Sequence, residues 1–423
     1  MNLLPIQQAR EQLLTIFSKG LEAVNGQHCV HRFLSQNSLP TNKVWVVAVG
    51  KAAGSMMSGA ADFFSSLDND TVQLIAGLVI TKRGHGVTFD DDRIECLESD
   101  HPFPTQRSLE AGSRLVEFVK QTPKEDTLLF LISGGTSALV EVLPEATSLE
   151  QLDKLNHWLL SNPWPIDEIN RVRQSVSRIK AGKLLGFIRT PHLMQLTISD
   201  VTNNDLSIIG SGLLVPPTTQ DSVNSFNLPD WVKQMQGTCS GLSAPPPLEP
   251  CVEHRILADN ATARSAIEHF ASSIGLPVVL NETIAGKVND ASTVIAKTLK
   301  EGEAGLYVWG GETVVDLPDS PGRGGRCQTL ALLVAEEIEQ RNDIVLLAAG
   351  TDGTDGPGDV AGALIDGMTT ERGRQSGFDS KQELFKANAG QYLEETSDLI
   401  DTGPTGTNVM DLVIAIKLEP TII

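Results

Sequence analysis

The 423-residue chain has five cysteines, Cys29, Cys96, Cys239, Cys251 and Cys327, and no two of them form a CxxC pair. That spacing indicates neither a zinc site nor a disulfide framework, so a reducing compartment is the default reading. Basic residues are in the minority: 33 Lys and Arg face 53 Asp and Glu, for a formal net charge of -20. No Lys/Arg run offsets the excess, so nucleic acid and anionic membrane are not expected partners. No apolar run approaches the length of a membrane span. Met1-Asn2-Leu3-Leu4-Pro5 lacks the basic start, apolar core and cleavage site of a signal peptide, and a cytoplasmic location is expected. Two nucleotide signatures are missing as well. The chain contains no GxxxxGK[ST] loop, and no GxGxxG follows any candidate strand.

What is present is a series of short apolar runs that each end in glycine and one polar residue type. Leu128-Leu129-Phe130-Leu131-Ile132 has no alternation, the pattern of a strand buried on both faces in a parallel sheet. Ser133-Gly134-Gly135-Thr136-Ser137 follows at once, and Thr136 or Ser137 is a candidate cap for a helix beginning at Ala138. The segment is either an anion cradle of backbone N–H groups or a tight βα turn that needs glycine for packing. Val44–Val49 followed by Gly50-Lys51-Ala52-Ala53-Gly54 is a second such unit. Lys51 is either a surface lysine or, because a cation at a helix start opposes the dipole, a contact for an anion.

Ile94–Leu97 leads into Ser99-Asp100-His101-Pro102-Phe103-Pro104, a rigid extended turn, with Thr105 as N-cap of a helix through Val119. His101 either caps backbone or touches a ligand. Helices are expected over Gln7–Leu34, punctuated by Gly20 and Gly26, over Leu149–Leu160, stopped by Pro163 and Pro165, and over Ile166–Leu185. Arg171, Arg173, Arg178 and Lys180 lie between the apolar positions of the last one; most suit a solvated face and one or two an anion. Leu193–Ile198 is a strand that ends in Ser199-Asp200, where Asp200 is a metal ligand, a base or a turn former.

Composition changes between Val215 and Pro250, where Pro216-Pro217, Pro245-Pro246-Pro247 and Pro250 bracket a polar Gly/Ser-rich stretch. This places a boundary between domains 1–245 and 246–423. Beyond it βα alternation resumes. Gly305–Trp309 reads as a strand ending in Gly310-Gly311-Glu312-Thr313. Arg323 and Arg326, set among Gly322, Gly324 and Gly325 before a helix, form an anion-site candidate, since guanidinium matches carboxylate or phosphate. Asp352 and Asp355 on the glycine loop after Ile344–Ala348 suit Mg²⁺ bound with phosphates, and their spacing is not that of an EF-hand. Thr405 and Asn408 precede the last strand, Leu412–Ile416. Cations, N–H cradles and carboxylates at strand ends are the parts of phosphoryl transfer, which relies on positioning and charge neutralisation.

The ordered set of these segments resembles the class II glycerate kinases, whose C-terminal half carries the leucine-rich MOFRL domain. The matching pieces are VGKAAGSM at 49–56, SDHPFPT at 99–105, ISGGTSAL at 132–139, INRVRQSVSRIKAGKL at 169–184, SDV at 199–201, GGET at 310–313, GGR at 324–326, AAGTDGTDGP at 348–357 and TGPTGTNVMDL at 402–412. The resemblance spans nearly the whole chain. It implies two α/β domains, the first Rossmann-like with a mostly parallel sheet, a MOFRL region at about 303–417, and an active site in the interdomain cleft. It implies transfer of the ATP γ-phosphate to D-glycerate with Mg²⁺, giving 2-phosphoglycerate, and Lys51 and Arg326 as the catalytic pair.

Together the two readings assign nucleotide or phosphate contacts to Gly134, Gly135, Thr136, Ser137, Gly310, Gly311, Glu312, Thr405 and Asn408. They assign substrate contacts to His101 and Arg323, and metal contacts to Asp200, Asp352 and Asp355. The expected ligands are glycerate, ATP and Mg²⁺, and a homodimer is an expected option for the assembly. The chain departs from the family pattern at Asn203-Asn204, Leu213-Leu214, Cys327 and Ala389. The competing readings are a hydroxypyruvate reductase and a non-catalytic ligand-binding relative.

Overall fold

The computed structural model describes residues 4–67, 71–161, 166–216, 228–240 and 252–419. The chain divides into two compact units, Gly26–Leu257 and a second formed by Met1–Asn25 with Ala258–Ile423. The expected boundary at 245/246 lies outside the described residues, as do Pro163 and Pro165. The first 25 residues do not belong with the Rossmann-like half as the sequence reading has it. The helix Leu4–Ala23, which runs through Gly20 without a break, buries Leu13, Ile16 and Phe17 and packs against the helix Asn260–Ser273. An apolar stripe of this kind needs a partner face, and the later part of the chain supplies it.

In the unit Gly26–Leu257 the strands are β1 (Lys43–Val49), β2 (Gln73–Lys82), β3 (Ile94–Ser99), β4 (Thr127–Ile132), β5 (Leu193–Ile198) and β6 (Glu253–Ala258), in the order β3-β2-β1-β4-β5-β6. The pairings from β3 through β5 are all parallel. Every residue of β4 is buried, as its unbroken apolar run requires. The strand order reverses between β1 and β4, where Val49 lies opposite Ile132. This is the doubly wound arrangement, and the crevice beyond the carboxyl ends of β1 and β4 is where such sheets hold ligands.

The second unit contains β7 (Val278–Lys287), β8 (Gly305–Val314), β9 (Ile344–Gly350), β10 (Gly362–Asp366), β11 (Leu399–Ile400) and β12 (Asp411–Lys417), in the order β11-β10-β9-β12-β8-β7. Only β7 and β8 run parallel; the other pairings are antiparallel. The helix Arg326–Glu337 lays Leu330, Ala331, Val334 and Ala335 on a core shared with Leu346, Ala348, Val413 and Ala415.

Three local expectations change. β8 continues through Gly310-Gly311-Glu312 to Val314, so these residues are strand and not a terminal turn. The helix at Thr136 is a single turn, Thr136–Leu139, too short to supply a dipole end. The helix from Ile166 stops at Ser175. Past it, Arg178 N–H donates to the Val142 carbonyl, and Ala181 and Gly182 take left-handed backbone. Among the described residues no helix is long and apolar enough to cross a membrane.

Candidate functional site

The β1–β4 crossover is stitched together by backbone. Gly50 adopts φ 130° and presses so closely on Ser133 that a Cβ there would lie 2.2 Å from Ser133 Oγ. Lys51 N–H donates to the Gly134 carbonyl at 2.9 Å, and Ala52 N–H donates to Ser133 Oγ at 3.0 Å. The glycine that sequence reading took for a turn is therefore what lets the β1 turn dock onto the β4 turn. Gly135, at φ 84°, faces the stem of Lys51 and the ring of His101: a Cβ there would lie 3.1 Å from Lys51 Cγ and 3.3 Å from His101 Cδ2. The structure thus brings Lys51, His101, Gly134 and Gly135 to one point at the carboxyl edge of the sheet.

The loop that carries His101 is braced at its end. Thr105 caps the helix Gln106–Gln121 with a capping box and donates its hydroxyl to Asp100 at 2.7 Å. Thr136 turns inward, donating to the carbonyls of Val49 and Ser133 at 2.9 and 2.7 Å, so its hydroxyl braces the turn and does not face a ligand. Ser137 does face outward. Its hydroxyl meets that of Ser211 at 2.6 Å on the wall of a cavity of about 210 Å³ that His101 and Gly135 also line. Asp200 follows β5 at the same sheet edge but does not line this cavity.

A buried ion pair also lines the cavity, and no periodicity in the chain signals it. Lys180 Nζ lies 2.6 Å from Glu141 Oε2, with side-chain exposures of 3% and 1%. The other oxygen of Glu141 accepts from Ser177 Oγ at 2.5 Å and from Val142 N–H at 2.9 Å. A pair so fully hydrogen-bonded fixes the geometry of the wall; removing one partner of such a pair costs about 3–5 kcal/mol.

The second cluster lies within the other unit. Arg326, the first residue of its helix, donates through Nε and Nη2 to the two carboxylate oxygens of Asp411, and its Nη1 pairs with Glu312. Burial alone would lower the guanidinium pKa, but the hydrogen bonds and charge of Asp411, with Glu312, drive it well above the ordinary arginine value. Asp411, buried at the start of β12, was visible in the sequence only as the last polar residue before an apolar run. Gly310 sits in β8 where a Cβ would strike Asn260, and Asn260 donates to the carbonyls of Val409 and Asp411. Gly310 and Gly311 therefore serve close strand packing here. Arg323 pairs with Glu394 on the exposed surface at 2.6 Å.

Two of the carboxylates expected to hold a metal, Asp355 and Asp352, accept hydrogen bonds from neighbouring protein groups. Asp355 is 3% exposed and accepts from Cys327 N–H at 3.1 Å, Gln328 N–H at 2.8 Å and Gln328 Nε2 at 2.9 Å. It caps the first turn of the Arg326 helix from outside, so the N–H groups of Cys327 and Gln328 are already satisfied. Gly325 makes this possible, since a Cβ there would lie 2.2 Å from Asp355 Oδ1. Asp352 Oδ1 accepts from Thr354 N–H at 3.0 Å, closing an Asx turn. Thr405 donates to the Thr351 carbonyl, and Asn408 is buried in the same knot of loops. Among the described residues no three His, Cys, Asp or Glu converge into a group that could hold a metal ion.

Asp355 also titrates unusually. Burial, and the charge of Asp411, push its carboxyl up to about 6 against the N–H groups of Gln328 and Cys327 that favour ionisation. A folded pKa above the unfolded one means the native state binds the extra proton. The contribution to stability is therefore full below about pH 4 and lost as pH rises to about 6. Asp355→Asn cannot titrate, so its deficit in thermal stability relative to the parent is expected to shrink between pH 4 and pH 7, by on the order of 3 kcal/mol. Melting curves across that range check this; a deficit that is constant or grows with pH means the carboxylate is ionised throughout.

A doubly wound sheet with a lysine at its crossover and a separate mixed α/β unit with a carboxylate-held arginine define a two-unit α/β protein. Comparison with known proteins specifies the class. Residues 12–229 match the family described as Domain of unknown function (DUF4147), and residues 305–411 match the MOFRL family. The D-glycerate 2-kinase of Thermotoga maritima is 32% identical, with 97% of this chain and 99% of that protein aligned. The glycerate 2-kinase of Pyrococcus horikoshii is 33% identical over 88% of this chain and 87% of its own. A protein of Agrobacterium vitis named putative hydroxypyruvate reductase is 32% identical over 87% of this chain and 97% of its own. The crystal structure of glycerate kinase from Thermotoga maritima superposes with a TM-score of 0.82, covering 97% of this chain and 100% of that one. The chain belongs to the glycerate 2-kinase family that carries the MOFRL domain.

Proposed function

We propose that the chain transfers the γ-phosphate of ATP to the 2-hydroxyl of D-glycerate, giving 2-phosphoglycerate and ADP. The observation that carries this reading is the placement of Lys51 at the β1–β4 crossover against Gly135 and His101, within a chain similar over nearly its full length to glycerate 2-kinases. Phosphoryl transfer spreads negative charge over the moving group, and a preorganised cation is the residue type that answers it. Lys51 supplies that charge, His101 orients beside it, and the Ser137 and Ser211 hydroxyls offer hydrogen bonds to a polyhydroxy acid. Arg326, held by Asp411 and Glu312, is the second catalytic residue of this reading.

The described residues offer no cage of protein carboxylates for magnesium, and Asp355 is committed to its helix, so no step is assigned to a protein-held metal. The reductase name of some relatives finds no support in the β1 turn, which reads Gly50-Lys51-Ala52-Ala53-Gly54 and not GxGxxG. The test is paired. ADP release from ATP and Mg²⁺ is followed with and without D-glycerate, and NADH and NADPH oxidation is followed with hydroxypyruvate. Glycerate-dependent ADP release without cofactor oxidation is expected; the reverse pattern establishes the reductase.

A further inference from the structure

Among the cations that the segment 166–185 places around the cavity, one has an unusual environment. The helix Ile166–Ser175 buries Ile169 and Val172 against Leu152 and Leu155, and its neighbouring face presents Asn170 and Arg173 to the cavity of about 210 Å³. Arg171 points to solvent, and Arg178 lies over the ring of Phe187. Arg173 Nε donates to Asn156 Oδ1 at 2.9 Å, which fixes the plane of the guanidinium. Its two terminal nitrogens have no hydrogen-bond partner, and no carboxylate pairs with it, among the described residues.

The charges around the cavity do not balance. Among the described residues Glu141 is the one carboxylate that lines the cavity, and Lys180 together with Ser177 and the Val142 N–H already satisfies it. The ion pair cancels, and Arg173 leaves the cavity with one uncompensated positive charge. Burial pulls its guanidinium below the ordinary arginine range, with no anion to offset the effect. A half-buried cation lacking a counter-charge is costly to keep, and a bound carboxylate would relieve that cost with two parallel N–H···O bonds. The same cavity is lined by the Ser137–Ser211 hydroxyl pair and by His101, which lies with Lys51 against Gly135.

We propose that Arg173 is the residue that grips the carboxylate of the acid substrate, and so sets the preference for a hydroxy acid over a neutral polyol; this rests on the glycerate reading above. The carboxylate lies on the Arg173 fork, which leaves the hydroxyls of a three-carbon acid directed toward the serine pair and the Lys51 turn. Asn156 is a positioning residue in this arrangement, since it acts only by fixing the guanidinium plane.

The test combines calorimetric binding of D-glycerate, without nucleotide, with steady-state kinetics on D-glycerate and on glyceramide, its neutral amide. Both are measured for the parent, Arg173→Gln and Arg173→Lys. Arg173→Gln is expected to weaken D-glycerate binding and raise its KM by about a hundredfold while the KM for ATP stays within about threefold. The preference for glycerate over glyceramide should collapse, and Arg173→Lys should recover part of it. Should Arg173→Gln melt below the assay temperature, Arg173→Lys carries the comparison, because a lysine cannot reproduce the bidentate contact.

An unchanged KM for glycerate in the folded variants overturns the inference, as does an equal loss on glyceramide. The two proposals fail differently. A parent that turns over glycerate with variants that do so equally well removes only Arg173. A parent that binds D-glycerate through Arg173 without phosphorylating it removes the kinase reading and keeps the carboxylate site.

Discussion

Lys51→Met is expected to lower kcat for D-glycerate by about a hundredfold or more, the scale seen when one preorganised charge contact to a transition state is removed. The substitution keeps most of the length of the stem and deletes only the ammonium. The stem packs on Gly135, and the backbone N–H of residue 51 bonds the Gly134 carbonyl whatever side chain it carries. The turn should therefore hold, and the melting temperature should stay close to that of the parent. The loss should also fall on kcat more than on either KM, because the charge acts on a group that exists only during transfer. Steady-state kinetics on both substrates with a melting curve separates these outcomes. Near-normal kcat in a folded Lys51→Met protein would remove the lysine from the reacting centre.

Arg326→Lys is expected to lose most of the activity although the charge is kept, by about a hundredfold. Arg326 holds Asp411 with two nitrogens of one plane and Glu312 with the third. A lysine ammonium can satisfy one of these contacts at full strength, so the cation would no longer stand where the fork places it. Asp411 is 6% exposed at its side chain, so Arg326→Ala would also leave a buried carboxylate unpaired at about 3–5 kcal/mol in stability. The lysine variant avoids most of that cost and isolates the geometric effect. Arg323→Lys is the control. Arg323 pairs with Glu394 on the open surface, where such pairs are worth at most about 1 kcal/mol, and its loss should be mild. Equal, small losses in the two lysine variants would show that the loop contributes only a diffuse positive field.

The sequence was most legible where a buried strand leaves no freedom. Leu128–Ile132 and Val44–Val49 are apolar on both faces, and each is a central strand of the parallel sheet with its glycine turn at the carboxyl edge. Lys51 was recognisable because it stands at such a turn. Legibility failed where one segment is used by another far away in the chain. Asp355 and Gly325 both look like ligand-binding loop residues in isolation, yet they meet each other, and the carboxylate caps the helix that the glycine precedes. Gly310 and Gly311 look like a turn but lie inside β8, because Asn260 and the backbone of Ile284 come too close for any side chain. The helix Leu4–Ala23 gave no sign from its own residues that its apolar stripe belongs to the second unit. Arg173 was one of four cations set between apolar positions at helical spacing, and only the partners of Glu141 and Lys180 single it out.

The most direct test of the account is to identify the product formed from D-glycerate and ATP. Phosphorus and proton NMR of the reaction mixture distinguishes phosphate on the secondary carbon from phosphate on the terminal one. The account predicts a single new phosphomonoester, 2-phosphoglycerate, formed in step with ADP and absent when D-glycerate is left out. Formation of 3-phosphoglycerate, or no phosphorylated acid from a folded protein supplied with both substrates, would contradict it.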